Sequence, residues 1–248
     1  RFIVLGCNGY LGKLEPRVLE SKLDVKAGDP VDHDFLARNA DYLYGLQLYE
    51  QVSYRLVEED GQTGVEYRAR TKSWGPNFLQ FGVSLEDDFE SSTGFNISAR
   101  LTRAGINRLG AEWRNDVWLG TDSRLFSEFY QPLSFDSRFF IAPRITLSQT
   151  NLNAFAAEET IARYRLSEAE AGLDVGRELG RIGEFRVGMY RGFGNALVRV
   201  GDPSLPNLDF STGGVYARLR VDSRDSARFP RHGMYSDIRW TLSHPDLG

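Results

Sequence analysis

Residues 78–90 read FLQFGVSLEDDFE, and this stretch decides how the rest of the chain is interpreted. Leu79, Phe81, Val83 and Leu85 are apolar, whereas the residues between them are small or polar. Successive side chains of a β-strand point to opposite faces, so this period of two predicts a strand with one apolar and one polar face. The acidic end of the stretch predicts a loop.

The same alternation recurs from residue 74 onward, without a helical period. We expect nine strand-like segments, at residues 77–86, 93–103, 106–119, 123–133, 138–154, 160–177, 183–200, 211–222 and 232–243. A strand of a soluble sandwich has about 5–6 residues, whereas a tilted strand needs about 9–11 residues to cross a bilayer. The lengths therefore favour a transmembrane β-barrel, and so do connections that alternate between short turns and longer polar loops. A soluble all-β domain is the alternative.

The composition excludes several classes of site and partner. The 248 residues carry a net charge of −4, with charges of both signs, which gives no reason to expect a nucleic-acid partner. Cys7 is the single cysteine, so an intramolecular disulfide and a cysteine-based zinc cluster are excluded. The three histidines lack the spacing of metal ligands. No metal or other cofactor is expected, and no apolar run is long enough for a spanning helix.

Strand parity assigns each side chain to one face of the predicted sheet. Backbone groups in hydrocarbon must pair internally, so a spanning sheet has to close, with lipid on one face and a polar lumen on the other. The predicted lipid-facing residues are Leu79, Phe81, Val83, Phe95, Ile97, Leu101, Leu109, Trp113, Val215, Leu219, Ile238 and Trp240. The predicted lumen-facing charged residues are Arg100, Arg108, Glu112, Arg114, Asp116, Glu128, Arg144, Arg218, Arg220 and Asp237. These charges could form a conduit, hold a plugging loop, or simply pair with one another.

Residues 1–73 follow a different pattern. Apolar residues at helical spacing predict one helix within residues 13–25 and a second within residues 33–46. Asp32 is expected to cap the second helix, which carries Phe35, Leu36, Leu43 and Tyr44 roughly along one side. With one strand before the helices and two after them, this region is predicted to be a small α+β module.

Several stretches together resemble a known family. They are KAGDPVD at residues 26–32, LYGLQLYEQVSY at residues 43–54, GPNFLQFGV at residues 75–83 and RFPRHG at residues 228–233. Their order is similar to that of the bacterial surface antigen family, in which periplasmic POTRA domains precede an outer-membrane barrel used for assembly or secretion. The resemblance implies a POTRA-like domain at residues 1–73 and a barrel at residues 74–248. Because the family barrel has sixteen strands, nine strands imply its N-terminal half.

Within that superfamily, residues 109–133, LGAEWRNDVWLGTDSRLFSEFYQPL, look most like the barrels of patatin-like phospholipase autotransporters. This implies type V secretion, in which the barrel anchors or translocates a lipase passenger. The chain has no Gly-x-Ser-x-Gly motif, so we expect no catalytic residue in this segment, and any lipase would lie upstream. The full-length protein could therefore be an enzyme that uses this segment as its anchor.

The resemblance also implies a location and partners. Residues 1–73 would lie in the periplasm, and the barrel would contact outer-membrane lipids. A passenger or client polypeptide would pair with an exposed strand edge of the POTRA-like domain, for which residues 47–57 are our candidate. Insertion of client β-strands is a second possible activity. Arg191 and Gly192, in YRGFG, match an Arg-Gly-aromatic signature of a lumenal loop in this superfamily, but their parity predicts an ordinary strand.

Overall fold

The computed structural model describes residues 3–6, 20–26, 28–45, 49–59, 61–71, 77–87, 93–136, 138–156, 159–202, 205–224, 229–244 and 247. Within these ranges the chain forms two compact units. The first contains residues up to 77 together with 103–112 and 131–138, and the second contains residues 78–102, 113–130 and those from 139 onward.

The first unit is built on a three-stranded sheet. Its elements are β1 (Ile3–Gly6), α1 (His33–Gly45), β2 (Tyr49–Glu59) and β3 (Gln62–Thr71). The spatial order is β1–β3–β2, with β1 parallel and β2 antiparallel to β3. Residues 20–22 are also helical, but most of the helix expected within residues 13–25 lies outside the described residues.

Asp32 caps α1, as the sequence predicted. Its Oδ1 accepts hydrogen bonds from the backbone N–H groups of Asp34 and Phe35, at 2.9 and 3.4 Å. These are two of the donors that the first helical turn leaves without partners. Leu36 and Leu43 are buried as expected, but Tyr44 is exposed, and the buried face also includes Asn39 and Ala40.

The core of the first unit lies between α1 and the sheet. Leu36 and Leu43 of the helix pack with Val65, Tyr67 and Ala69, which share one face of β3. The Tyr67 hydroxyl donates to the Leu36 carbonyl at 3.2 Å, which satisfies its one polar group inside the core. Burial of this helix face, rather than helix propensity, accounts for most of its stability.

Among the described residues the second sheet contains nine strands, each paired with the next along the chain. They are β4 (Asn77–Asp87), β5 (Thr93–Arg103), β6 (Glu112–Gly120), β7 (Ser123–Pro132), β8 (Phe139–Ala156), β9 (Glu159–Glu178), β10 (Gly183–Gly201), β11 (Leu208–Asp222) and β12 (Tyr235–Ser243). The pairs from β8 to β12 are antiparallel. The expectation of nine long strands is confirmed. No helix among the described residues is long and apolar enough to cross a membrane.

One predicted strand begins too early. Residues 104–111 form a turn, in which the Asn107 side-chain oxygen accepts from the N–H groups of Leu109 and Ala111 at 3.1 and 3.2 Å. Gly105 and Gly110 have positive φ angles of 61° and 82°. The assignment of Arg108 and Leu109 to the two faces of a strand was therefore wrong, because local asparagine and glycine turn chemistry outweighs the alternating pattern here.

Candidate functional site

The nine-stranded sheet has one face of exposed apolar side chains, here called the apolar face. Phe81 and Val83 on β4 are 76% and 81% exposed. The other predicted lipid-facing residues that are exposed are Leu79, Phe95, Ile97, Leu101, Trp113, Ile238 and Trp240, while Val215 and Leu219 are half-buried on the same face. Eleven of the twelve residues thus lie on this face, the exception being Leu109 in its turn.

The opposite face, here called the polar face, is identified by contacts between neighbouring strands. A Cβ atom added to Gly82 on β4 would lie 2.6 Å from Oγ of Ser98 on β5, so these two residues share a face. Arg100 on β5 donates a hydrogen bond to Asp116 on β6, so these two side chains lie on the same face. From β8 to β12, the strand register shows which residues share this face. Both carboxylate oxygens of Asp116 accept from the Arg100 guanidinium, at 2.6 and 2.9 Å, and Asp116 is only 3% exposed.

Ion pairs link the middle strands of the polar face. Glu128 on β7 lies 3.6 Å from Arg114 and 2.9 Å from Arg186 on β10. Arg186 also lies 3.5 Å from Asp174 on β9, which is 1% exposed. Arg144 on β8 contacts the same Asp174 at 3.6 Å. Each buried carboxylate therefore has a guanidinium close by, which offsets the cost of removing its charge from water.

The network continues to both ends of this group. Arg144 forms an ion pair with Glu170, and Arg186 forms a third ion pair, with Glu184, at 2.9 Å. On the last two strands, Arg218 donates to Asp237 at 2.7 Å, and Arg220 lies 3.4 Å from the same carboxylate. Charges of opposite sign thus alternate across the face.

Aromatic rings support the arginines of this network. The Phe140 ring is fully buried, with the Arg186 guanidinium 4.9 Å from its centre and the Tyr130 ring 4.6 Å away. Tyr130 donates its hydroxyl to Glu178 at 2.6 Å. Arg144 and Arg239 lie 5.6 and 4.0 Å from the Tyr216 ring centre. These contacts hold the charged groups in place through stacking as well as ion pairing.

Glycines provide the space that these large side chains occupy. Gly172 pairs in register with Arg144, and a Cβ atom at Gly172 would lie 2.7 Å from the Arg144 guanidinium carbon. Gly188 lies between Asp174 and Tyr216, where a Cβ atom would be 2.6 Å from the Tyr216 ring. A larger residue at either position would displace part of the network.

The structure brings together most of the predicted lumenal charges. Arg100, Arg114, Asp116, Glu128, Arg144, Arg218, Arg220 and Asp237 all lie on the polar face and take part in its ion pairs. Glu112 is exposed at the first position of β6, and Arg108 lies in the turn before it.

Sequence reasoning missed Asp174 and Arg186, which are central to the network. Their parity within the predicted segments 160–177 and 183–200 could have identified them, because both alternate with apolar residues. Trp118 and Tyr130, two aromatic residues near the ends of β6 and β7, also lie on the polar face. Arg191 lies in β10, as the strand interpretation predicted, and its side chain is exposed on the apolar face.

The described residues offer no site for a metal. They contain no group of three or more histidine, cysteine, aspartate or glutamate side chains arranged to hold one. The polar face is built from paired charges and stacked rings.

No family model and no curated protein matches the sequence. Among solved structures, the chain is similar to BamA from Haemophilus ducreyi lacking POTRA domains 1–3, with 13% identity and a TM-score of 0.65 over all of this chain and 49% of that one. It is also similar to CdiB from Acinetobacter baumannii, with 13% identity and a TM-score of 0.55 over 98% of this chain and 45% of that one. The chain spans about half the length of each. At this identity the likeness establishes a shared fold.

Proposed function

We propose that this chain is part of an outer-membrane β-barrel protein that supports the secretion or surface display of a passenger, or the insertion of client β-strands. The apolar face contacts lipid, and the polar face lines the barrel interior. Residues 1–73 act as a POTRA-like domain in the periplasm, and residues 74–248 form the N-terminal part of a sixteen-stranded barrel.

The observation that carries this proposal is the inverted distribution of apolar and charged side chains. In water, covering a large apolar side chain contributes about 1.5–3 kcal/mol, so a soluble sheet buries its apolar face. Here Phe81, Ile97 and Trp113 are exposed, whereas Asp116 and Asp174 are buried. A large exposed apolar surface indicates that the protein binds something there. Long antiparallel strands with such a surface are typical of proteins that contact lipid as a transmembrane barrel.

The polar face suits a path for a polypeptide. Because the carboxylates of Asp116, Glu128 and Asp174 are each held by arginines, the wall does not present a strong field of one sign. An extended chain could pass such a surface without being held by one dominant charge. This mechanism needs no bond-making residue, and we assign no catalytic step to this segment.

The edge of β2 supports binding of a passenger or client. β2 is at one end of the order β1–β3–β2, and within the part of the chain that the structure describes it pairs with β3 alone. It spans most of the candidate edge at residues 47–57. A free edge offers main-chain donors and acceptors to an extended partner, in a way that does not depend on the partner's sequence.

The finer assignment, a patatin-like phospholipase passenger, rests on the resemblance of residues 109–133 alone. Sequencing the complete reading frame tests it, because a Gly-x-Ser-x-Gly motif upstream would support a lipase, whereas several tandem POTRA domains would indicate an assembly factor. The outer-membrane assignment does not depend on that outcome.

The two faces can be tested with brominated lipids. Variants that retain only Trp240 or only Trp118 would be reconstituted in vesicles, and quenching of tryptophan fluorescence would be measured. We expect strong quenching of Trp240, on the apolar face, and little quenching of Trp118, on the polar face. Equal quenching, or a full chain that stays soluble without detergent, would contradict the membrane assignment.

Client binding can be tested with a photo-crosslinking residue at Ser53 on β2. The matched control is Arg68, which pairs with Ser53 in register but lies on the central strand β3. Crosslinks to a secreted or membrane-inserting polypeptide from Ser53, in excess over those from Arg68, are expected. Equal crosslinking from both positions would argue against pairing at this edge.

A further inference from the structure

Arg191 is a charged residue in an apolar part of the sheet. Four register lines across β8 to β11 form a band on the apolar face, here called the apolar band. On β10 the band contains Val187, Met189, Arg191 and Phe193. The positions paired with them are Val175, Leu173, Ala171 and Ala169 on β9, Ile141, Pro143, Ile145 and Leu147 on β8, and Ala217, Val215, Gly213 and Ser211 on β11. Among these positions Arg191 alone carries a charge.

The next register line is polar on all four strands. It contains Asn195, Ser167, Gln149 and Asp209. Arg191 lies two apolar-face positions before this line, with Phe193 between them. The Arg191 guanidinium carbon is 5.4 Å from the centre of the Phe193 ring. Arg191 is therefore inside the apolar band but near the end at which polar residues begin.

Among the described residues, the surroundings of Arg191 leave its charge unneutralised. Its partners in register are Ala171 and Gly213, which are too small to cover a long side chain and carry no charge. No carboxylate in the described part of the chain forms an ion pair with Arg191. Asp209 on β11 pairs in register with Asn195, which is four residues beyond Arg191 on β10. The guanidinium is exposed on the face that the proposed function assigns to lipid.

A cation in this position needs an anion from outside the chain. The cost of an arginine on a lipid-facing barrel surface is greatest at the bilayer centre and falls towards the interface. Arginine can extend along an apolar surface and carry its charged group to the interface, where lipid phosphates lie. A phosphate accepts two parallel hydrogen bonds from a guanidinium. The charge complementarity therefore favours an anionic lipid over an uncharged one.

We infer that Arg191 binds the phosphate group of an anionic lipid, which holds that lipid against the apolar band at β10. This inference rests on the proposed function, because it requires the apolar face to contact a bilayer. It gives the Arg-Gly-aromatic sequence at residues 191–193 a role on the outside of the sheet.

The test uses a tryptophan reporter beside Arg191. Met189→Trp places an indole at the neighbouring apolar-face position and leaves the Phe193 contact intact. The full chain would be reconstituted in vesicles of phosphatidylcholine and phosphatidylglycerol in which either lipid is brominated, and the reporter signal would be taken as the difference from the parent chain. Leu219→Trp, on the apolar face of β11 and outside the band, is the matched control reporter.

Near the Met189→Trp reporter we expect phosphatidylglycerol to be enriched about fivefold over phosphatidylcholine. This is the ratio that the attraction between one arginine and an anionic membrane surface gives. Arg191→Ala should abolish this preference, Arg191→Lys should keep part of it, and neither should alter the signal at Leu219→Trp. Equal quenching by both lipids would overturn the inference and leave the proposed function standing. Absence of quenching at both reporters would overturn the proposed function itself.

Two further measurements distinguish other partners of Arg191. Loss of the preference on addition of inorganic phosphate would show that the site takes the free ion, and would overturn the lipid assignment. Altered self-association of Arg191→Ala in energy-transfer measurements, with unchanged lipid preference, would assign Arg191 to a protein interface and would also overturn it.

Discussion

The guanidinium of Arg186 on β10 reaches across two intervening strands to the carboxylate of Glu128 on β7, with a nitrogen–oxygen distance of 2.9 Å. The residues beneath it make this possible, because Arg186 pairs with Gly176, and Gly176 pairs with Phe140. The missing side chain at Gly176 leaves room for the Phe140 ring on which the guanidinium stacks. Four strands are thus joined on the polar face.

The pair formed by Arg186 and Glu128 should stabilise the sheet as a unit. Both side chains are largely buried, so Arg186→Met leaves the Glu128 carboxylate without its closest partner, and we expect a loss of about 3 kcal/mol in the free energy of unfolding. The double variant Arg186→Met, Glu128→Gln should lose clearly less than the sum of the single variants. Urea unfolding in vesicles measures this, and additive losses would mean that the two residues act independently.

Gly176 should tolerate no side chain. A Cβ atom there would lie 2.7 Å from the Phe185 carbonyl oxygen and would also overlap the Phe140 ring, so Gly176→Ala should destabilise the sheet by about 1–3 kcal/mol. Gly82→Ala is the matched control, because its close neighbour is the Ser98 hydroxyl, which can rotate away. The temperature at which the folded gel mobility is lost would report both changes. Similar values for the two variants would refute the packing argument.

Adjacent substitutions on β4 should separate the membrane from the soluble interpretation. Phe81→Arg places a charge on the apolar face, which in a bilayer costs about 2–4 kcal/mol at the midplane and less near the interfaces. Gln80→Arg places the same charge on the polar face, where we expect little change. Folding yield into vesicles is the measurement. In a soluble protein the exposed Phe81 site would accept arginine without loss, so equal yields would contradict the lipid contact.

The first unit should respond to acid through Glu66. A hydrogen bond from Arg55, followed by one from Arg68, holds the pKa of the Glu66 carboxyl below its usual value, despite an opposing effect of desolvation. A depressed pKa means that this contribution to stability is present above the pKa of the unfolded chain and is lost as the pH falls through the folded value. Carbon NMR of glutamate-labelled full chain should show a low Glu66 pKa that rises in Arg55→Ala. An unchanged pKa would contradict the assigned cause.

Much of the fold follows from side-chain order alone. The period of two in segments such as 93–103 and 183–200 predicts both the strands and which residues share a face, because the backbone of any strand alternates its side chains. Asp32 before an amphipathic segment likewise marks the start of α1, since capping is a local interaction. The strand predicted at residue 106 was wrong because the Asn107 side chain offers backbone groups a competing local partner.

The sequence by itself determined that long strands would separate apolar from charged residues, since that depends only on parity along the chain. Only the tertiary structure decided which charges meet: Arg186 bonds to Glu128, 58 residues away, because the order of strands β7 to β10, the register of β8, β9 and β10, and the space above Gly176 bring them together. Register depends on the pairing of whole strands, which no local pattern encodes. For the same reason the lone charge of Arg191 became evident only when its neighbours on β9 and β11 were known to be Ala171 and Gly213.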